Sequence, residues 1–163
     1  MGEYAPPPGP FDASDMRVAI IASRFNEHVT APLLEGARAT LAEHGLDPAT
    51  VPVVWVPGAF EIPLAAQRLA GSGTVDAVIC LGAVIRGETA HFEYVAGPCA
   101  TGIARAALDT GVPVAFGVLT TNDERQALDR AGGAAGNKGA EAARTALEMV
   151  ALLRALPAPA RRC

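Results

Sequence analysis

Four short stretches hold the residue types from which a site can be built. In GAVIRGETAH (82–91) a glycine turn, Glu88 and Thr89 lead to His91. An imidazole titrates near neutrality and suits proton transfer. Thr89 and the free N–H groups of a helix start suit a phosphate. The stretch comes within one residue of the phosphate loop G-x-x-x-x-G-K-[ST], but its lysine position holds Glu88. A carboxylate there repels terminal phosphates, which argues against ATP or GTP binding. On the residues alone, the alternatives are a plain turn with a helix cap and a packing role for His91.

RAGGAAGNKG (130–139) contains Lys138, the only lysine in the chain. It stands at or just before the start of the last helical pattern, where the helix dipole disfavours a cation. Such a local misfit marks functional positions. With Arg130 on the other side of the glycine-rich turn, it would make a site for an anionic group. An imine-forming nucleophile and a solvated side chain are the other two readings. Phe25, between Arg24 and Asn26, is a loop aromatic in a chain with only 5% aromatic residues. It suits stacking on a flat heterocycle, or plugging a sheet edge. Glu61, after Pro57-Gly58-Ala59-Phe60, either offsets a helix dipole or accepts hydrogen bonds from a polyol.

These residues have to be positioned by the elements between them. RVAIIAS (17–23), VPVVWV (51–56), VDAVICLGAVI (75–85) and VPVAFGVLT (112–120) are apolar runs without two-residue alternation, the mark of strands buried on both faces. Helical spacing fills the gaps, over 27–45, 60–70, 91–110, 123–131 and 139–156. In the last, Ala142, Ala146, Met149, Leu153 and Leu156 form the expected core stripe. Strands alternating with helices predict a parallel four-stranded sheet with helices on both faces, a three-layer α/β/α sandwich. Ligands then bind beyond the carboxyl ends of the strands, where Phe25, Glu61, His91 and their neighbours lie. The proline-rich residues 1–15 are expected to form an extended arm, 16–156 one domain, and 157–163 a short tail.

Composition excludes several function classes. The formal charge of −4 has no clustered basic face of the kind nucleic-acid binding needs. No G-x-G-x-x-G follows a strand, so dinucleotide binding is unsupported. No cysteine–histidine or histidine–carboxylate set has metal spacing, so no metal is expected. The start of the chain has no basic residue before Arg17 and no apolar core of a signal peptide, and no run reaches membrane-spanning length; a cytoplasmic protein is expected. Half of the residues are hydrophobic, which predicts that other subunits cover part of the surface.

RFN (24–26), VPGAFEIP (56–63), LGAVIRGETAHFEYV (81–95), GVPVAFGVLTTND (111–123) and RAGGAAGNKGAEAA (130–143), in this order, resemble the lumazine synthase family of riboflavin biosynthesis. The resemblance implies a flavodoxin-like sheet and condensation of 5-amino-6-ribitylaminouracil with 3,4-dihydroxy-2-butanone 4-phosphate. The products would be 6,7-dimethyl-8-ribityllumazine, phosphate and water, made without cofactor or metal. By the same resemblance Phe25 and Asn26 belong to the pyrimidinedione site, with Phe25 stacking on the ring. Ala59, Phe60 and Glu61 line the ribityl chain, and Ala83, Val84 and Ile85 meet the ring edge. Glu88 and Thr89 fall at the phosphate, and His91 is the general acid/base. Phe116, Arg130 and Lys138 reach the site from an adjacent subunit of a pentamer, with Arg130 on the phosphate. The family forms pentamers, some of which close into a shell of about 60 subunits. Because the pyrimidine supplies the amine, Lys138 becomes a fixed charge rather than a nucleophile. Ala134, where many relatives have lysine, and the carboxylate of Glu88 lower the local positive charge. They leave a flavin- or lumazine-binding storage or shell-forming relative with weak catalysis as the alternative.

Overall fold

The computed structural model describes residues 11–160. Its centre is a four-stranded parallel sheet of β1 (Val18–Ser23), β2 (Val53–Val56), β3 (Ala77–Ile85) and β4 (Val114–Thr121), in the order β2-β1-β3-β4. The strands alternate with α1 (Glu27–Glu43), α2 (Ile62–Ala70), α3 (His91–Thr110), α4 (Glu124–Arg130) and α5 (Lys138–Ala155). This is the expected α/β/α sandwich of flavodoxin-like order.

The continuous apolar runs are explained by two separate cores. Every residue of β1 is buried, but alternate side chains serve opposite faces. Ile20 and Ala22 pack with α1 and α5, through Leu33, Ala37, Ala143 and Leu147. Ala19 and Ile21 pack with α2 and α3, through Ile62, Ala66, Cys99 and Ile103. β3 does the same, sending Ile79 and Leu81 one way and Val78 and Cys80 the other. Alternation is therefore present in space while being invisible in hydropathy, because neither face is polar.

α5 keeps the expected stripe only at Ala142 and Ala146. Its buried positions are Gly139, Ala142, Ala143, Ala146, Leu147 and Val150, whereas Met149, Leu153 and Leu156 are exposed. A stripe stepping four, three, four, three drifts around a straight helix of 3.6 residues per turn. The face that meets α1 is instead the one with the smallest residues, because the two helices approach closely at their N-terminal halves. A Cβ on Gly139 would lie 2.0 Å from the Leu33 carbonyl oxygen, and one on Gly36 would lie 2.3 Å from Asn137 Cγ. Asn137 ties this contact together. It caps α5 by accepting from the Gly139 and Ala140 N–H groups at 2.9 and 3.1 Å, and donates to Pro32 O in α1 at 2.9 Å.

Between α4 and α5 the glycine-rich turn forms a short antiparallel hairpin, β5 (Ala131–Gly133) with β6 (Gly136–Asn137). Of the expected N-terminal arm, residues 1–10 lie outside the described residues, as does the end of the tail from 161. Residues 11–15 pack on their own chain: the Ala13 N–H donates to His44 O, and Phe11 meets the His44 ring edge-on at 5.0 Å. Near the other end of the strands Arg17 pairs with Asp76 at 2.9 Å, and Arg154 of α5 pairs with Asp15. No helix among the described residues is long and apolar enough to cross a membrane.

Gly139→Ala should destabilise the fold by about 3 kcal/mol or more, at the upper end of overpacking penalties, because the new methyl meets backbone rather than a side chain that can turn away. Thermal denaturation of the variant beside Ala140→Gly, which introduces no clash, measures this. Equal melting temperatures would refute the close-contact account.

Candidate functional site

The strand order reverses between β1 and β3, the crevice where open α/β sheets hold ligands. A cavity of about 780 Å³ opens there. The loop after β1 contributes Phe25, the turn after β2 contributes Pro57 to Glu61, the end of β3 contributes Ala83, Val84 and Ile85, and the start of α3 contributes Thr89 and His91. The loops after β1 and β2 are tied together, because Arg24 and Phe25 N–H groups donate to Val56 and Pro57 carbonyls at 2.9 and 3.0 Å. Phe25 is 71% exposed, so its ring stands free at the mouth rather than plugging the sheet. Glu61 ends a single 3-10 turn over Ala59–Glu61 and is solvent-exposed.

Asn26 does not line the cavity; it braces it. It is the only non-glycine described residue with positive φ, at 59°, a conformation asparagine tolerates better than most. From there its carbonyl starts α1 by accepting from Val29 N–H, and its side-chain amide donates to Ala83 O at 3.0 Å. That bond ties the loop carrying Phe25 to the strand end that forms the cavity floor. Glu88 likewise lies outside the lining, exposed on the loop between β3 and α3. Thr89 Oγ1 accepts from the His91 N–H at 3.4 Å.

Phe116, Arg130 and Lys138 sit elsewhere, in a second cleft of about 350 Å³ beside the edge strand β4 and the first turns of α5. Phe116 is 45% exposed there. The β5–β6 hairpin brings Arg130, at the end of α4, and Lys138, the first residue of α5, to the same cleft. The dipole conflict at Lys138 is resolved locally. Its ammonium donates to both carboxylate oxygens of Glu141, one turn along, at 2.9 and 2.8 Å. Arg130 Nη1 donates to Gln126 O at 3.0 Å, which fixes the direction of its side chain.

The matched residues of the chain extend across this whole arrangement. The family model described as 6,7-dimethyl-8-ribityllumazine synthase matches residues 15–154. A protein of that name from Thermus thermophilus is 61% identical over 144 residues, covering 88% of this chain and 92% of its own. One from Edwardsiella ictaluri is 58% identical over 147 residues, covering 90% and 94%. The chain belongs to the 6,7-dimethyl-8-ribityllumazine synthase family.

Several residues at the first cavity of this family member escaped the sequence reading. Phe92, Tyr94 and Val95 line it alongside His91. Tyr94 and Val95 stand three and four positions after His91, so helical spacing was the signal that would have found them. The other histidines do not line the cavity: His44 is buried and bonded to Thr40 O, and exposed His28 meets Glu124 at 2.5 Å. Cys80 and Cys99 are free and buried. Burial raises both thiol pKa values, that of Cys99 to about 11, so they stay neutral and unreactive. Among the described residues no group of three or more His, Cys, Asp or Glu side chains is placed to hold a metal ion.

Asn26→Ala should lower stability by about 1–2 kcal/mol, since it loses the bond to Ala83 and puts a residue into left-handed backbone that tolerates it less well than asparagine does. Asn26→Gly loses only the bond and should fall between the two. Chemical denaturation checks the order; an alanine variant as stable as the native chain would refute the brace.

Proposed function

We propose that this chain is an active lumazine synthase. It condenses 5-amino-6-ribitylaminouracil with 3,4-dihydroxy-2-butanone 4-phosphate to 6,7-dimethyl-8-ribityllumazine, phosphate and water. The observation that carries the reading is the division of polar equipment between two clefts of one chain. The first has an aromatic platform, a carboxylate for a polyol and a histidine. The second has the cations suited to a phosphate, beside a second phenylalanine. Neither is complete alone, but the first cleft of one subunit against the second cleft of its neighbour makes a complete site. Head-to-tail contact of this kind closes into a ring, and a homopentamer is the ring proposed. Exposed Leu64, Tyr94, Leu108 and Phe116 and the outer Met149–Leu156 face supply apolar surface for such contacts.

In this scheme Phe25 stacks on the pyrimidinedione, backbone of Ala83 to Ile85 meets the ring edge, and Glu61 accepts from ribityl hydroxyls. Thr89 and the N–H groups opening α3 receive the phosphate together with the neighbour's Arg130. The substrate amine attacks the ketone carbonyl to give the imine, with water leaving. His91 then moves protons as phosphate is eliminated and the enol so formed becomes a ketone, and the ring closes by attack of the ribityl-bearing nitrogen on that new carbonyl, with loss of a second water. The protein's chief contribution is to hold both partners together, so a small set of groups suffices. Lys138, already paired with Glu141, acts as a positive point at the cleft wall rather than as a nucleophile.

Mixing two inactive variants tests this reading. His91→Ala and Arg130→Ala chains should each lose nearly all turnover. When unfolded together and reassembled in equal amounts they should recover activity at about a quarter of the interfaces, where both intact halves meet. No recovery would refute the shared site, and native protein that binds both substrates without forming fluorescent lumazine would refute the synthase reading. Lys138→Arg should retain much of the turnover; complete loss would reopen the nucleophile role.

A further inference from the structure

The N-cap position of α3 supplies no side-chain cap, and the long 3.4 Å bond from the His91 N–H to Thr89 Oγ1 is a weak substitute. The N-cap residue, Ala90, has no side-chain acceptor, and the residues from Arg86 to His91 are all exposed. Yet this is the turn that carries His91. One guanidinium grips it from outside. Arg86 Nη1 pairs with Glu93 in the first turn, and its Cζ lies 4.2 Å from the centroid of the Phe92 ring. Arg86 Nε donates to Asn122 Oδ1 at 3.4 Å, and its backbone N–H donates to Thr121 O at 2.9 Å. Asn122 is itself held, because its N–H donates to Gln126 Oε1 at 2.9 Å in α4. Phe92 packs against the core beneath α3 and lines the first cavity.

We infer that Arg86 is a positioning residue for the proposed reaction, tying the first turn of α3, through Phe92 and Glu93, to the end of β4 so that His91 is held at the cavity. The inference rests on the synthase reading for its catalytic consequence and on geometry alone for the clamp. An exposed ion pair by itself contributes little. Here the same planar group stacks on a ring, bonds an amide oxygen and neutralises a carboxylate at once, which a lysine ammonium cannot reproduce. The pairing also holds the Glu93 carboxyl below the usual carboxylate range, so the pair stays charged through neutral pH. Arg86 touches neither cation of the second cleft, and its effect should be felt in the chemical step rather than in binding.

The test compares native protein with Arg86→Ala and Arg86→Lys, by hydrogen exchange and by steady-state kinetics on the same assembled protein. In Arg86→Ala, amide exchange over residues 89–95 should rise about tenfold while the sheet keeps its protection. Turnover should fall about tenfold with KM for each substrate changed less than about threefold. Arg86→Lys should fall between. Unchanged local exchange overturns the clamp, and faster exchange with unchanged turnover overturns the positioning role. A rise in KM alone would make Arg86 a substrate ligand and overturn it as well. Native protein without lumazine formation would sink the synthase reading instead, and the exchange arm still decides the clamp.

Discussion

β1 and β3 have no polar face, so each must be covered by helices on both sides. Parallel strands cannot be joined by a tight turn, and the crossover helices that join them are the cover. Because all four strands run in one direction, their carboxyl ends meet at one edge, and the loops that leave them are gathered there. Phe25, Glu61 and His91 come from three different loops and line one cavity for that reason. The reversal of strand order between β1 and β3 parts those loops enough to open it.

The second cleft depends on a different contact. Small residues on α1 and α5 let the helices approach until a backbone carbonyl fills the place of a side chain at Gly139. Asn137 locks that approach and starts α5, and the hairpin before it returns Lys138 to within reach of the Arg130 cleft. The two clefts are thus rooted in different structural features of one chain: the first in the sheet's switch point, the second in a helix–helix contact. In the proposed ring they are joined only between neighbours, so subunit packing would control the chemistry as much as any single side chain does.

Much of the fold was legible because two-sided burial leaves a plain signal. The four apolar runs are the four strands, each starting one or two residues later than expected and β4 running one residue further, and the span of α3 agrees at both ends. Helical patterns survived internal prolines, Pro32 in α1 and Pro98 in α3, because tertiary packing outweighs the local penalty. The α5 stripe holds at Ala142 and Ala146 but not at Met149, Leu153 and Leu156, because spacing alone does not show that the buried face turns through Ala143, Leu147 and Val150. Nor was the β5–β6 hairpin visible, since two or three residues of glycine and alanine have no strand preference. Among site residues, those at strand ends were found by the rule that ligands gather there. Arg86 also stands just after a strand, but nothing in its spacing marks a side chain that folds back on Phe92.

By itself the sequence determined the element order, the double covering of the sheet and the identity of the edge that carries function. Those follow from hydrophobic pattern and chain direction, which are local properties. Only the tertiary structure decided that Asn26 braces β3, that Lys138 is paired with Glu141, and that Arg130 and Lys138 lie in a different cleft from His91. The first and last are contacts between residues far apart in the chain. The lysine pair is close in sequence, but its geometry exists only once α5 has begun where the Asn137 cap begins it.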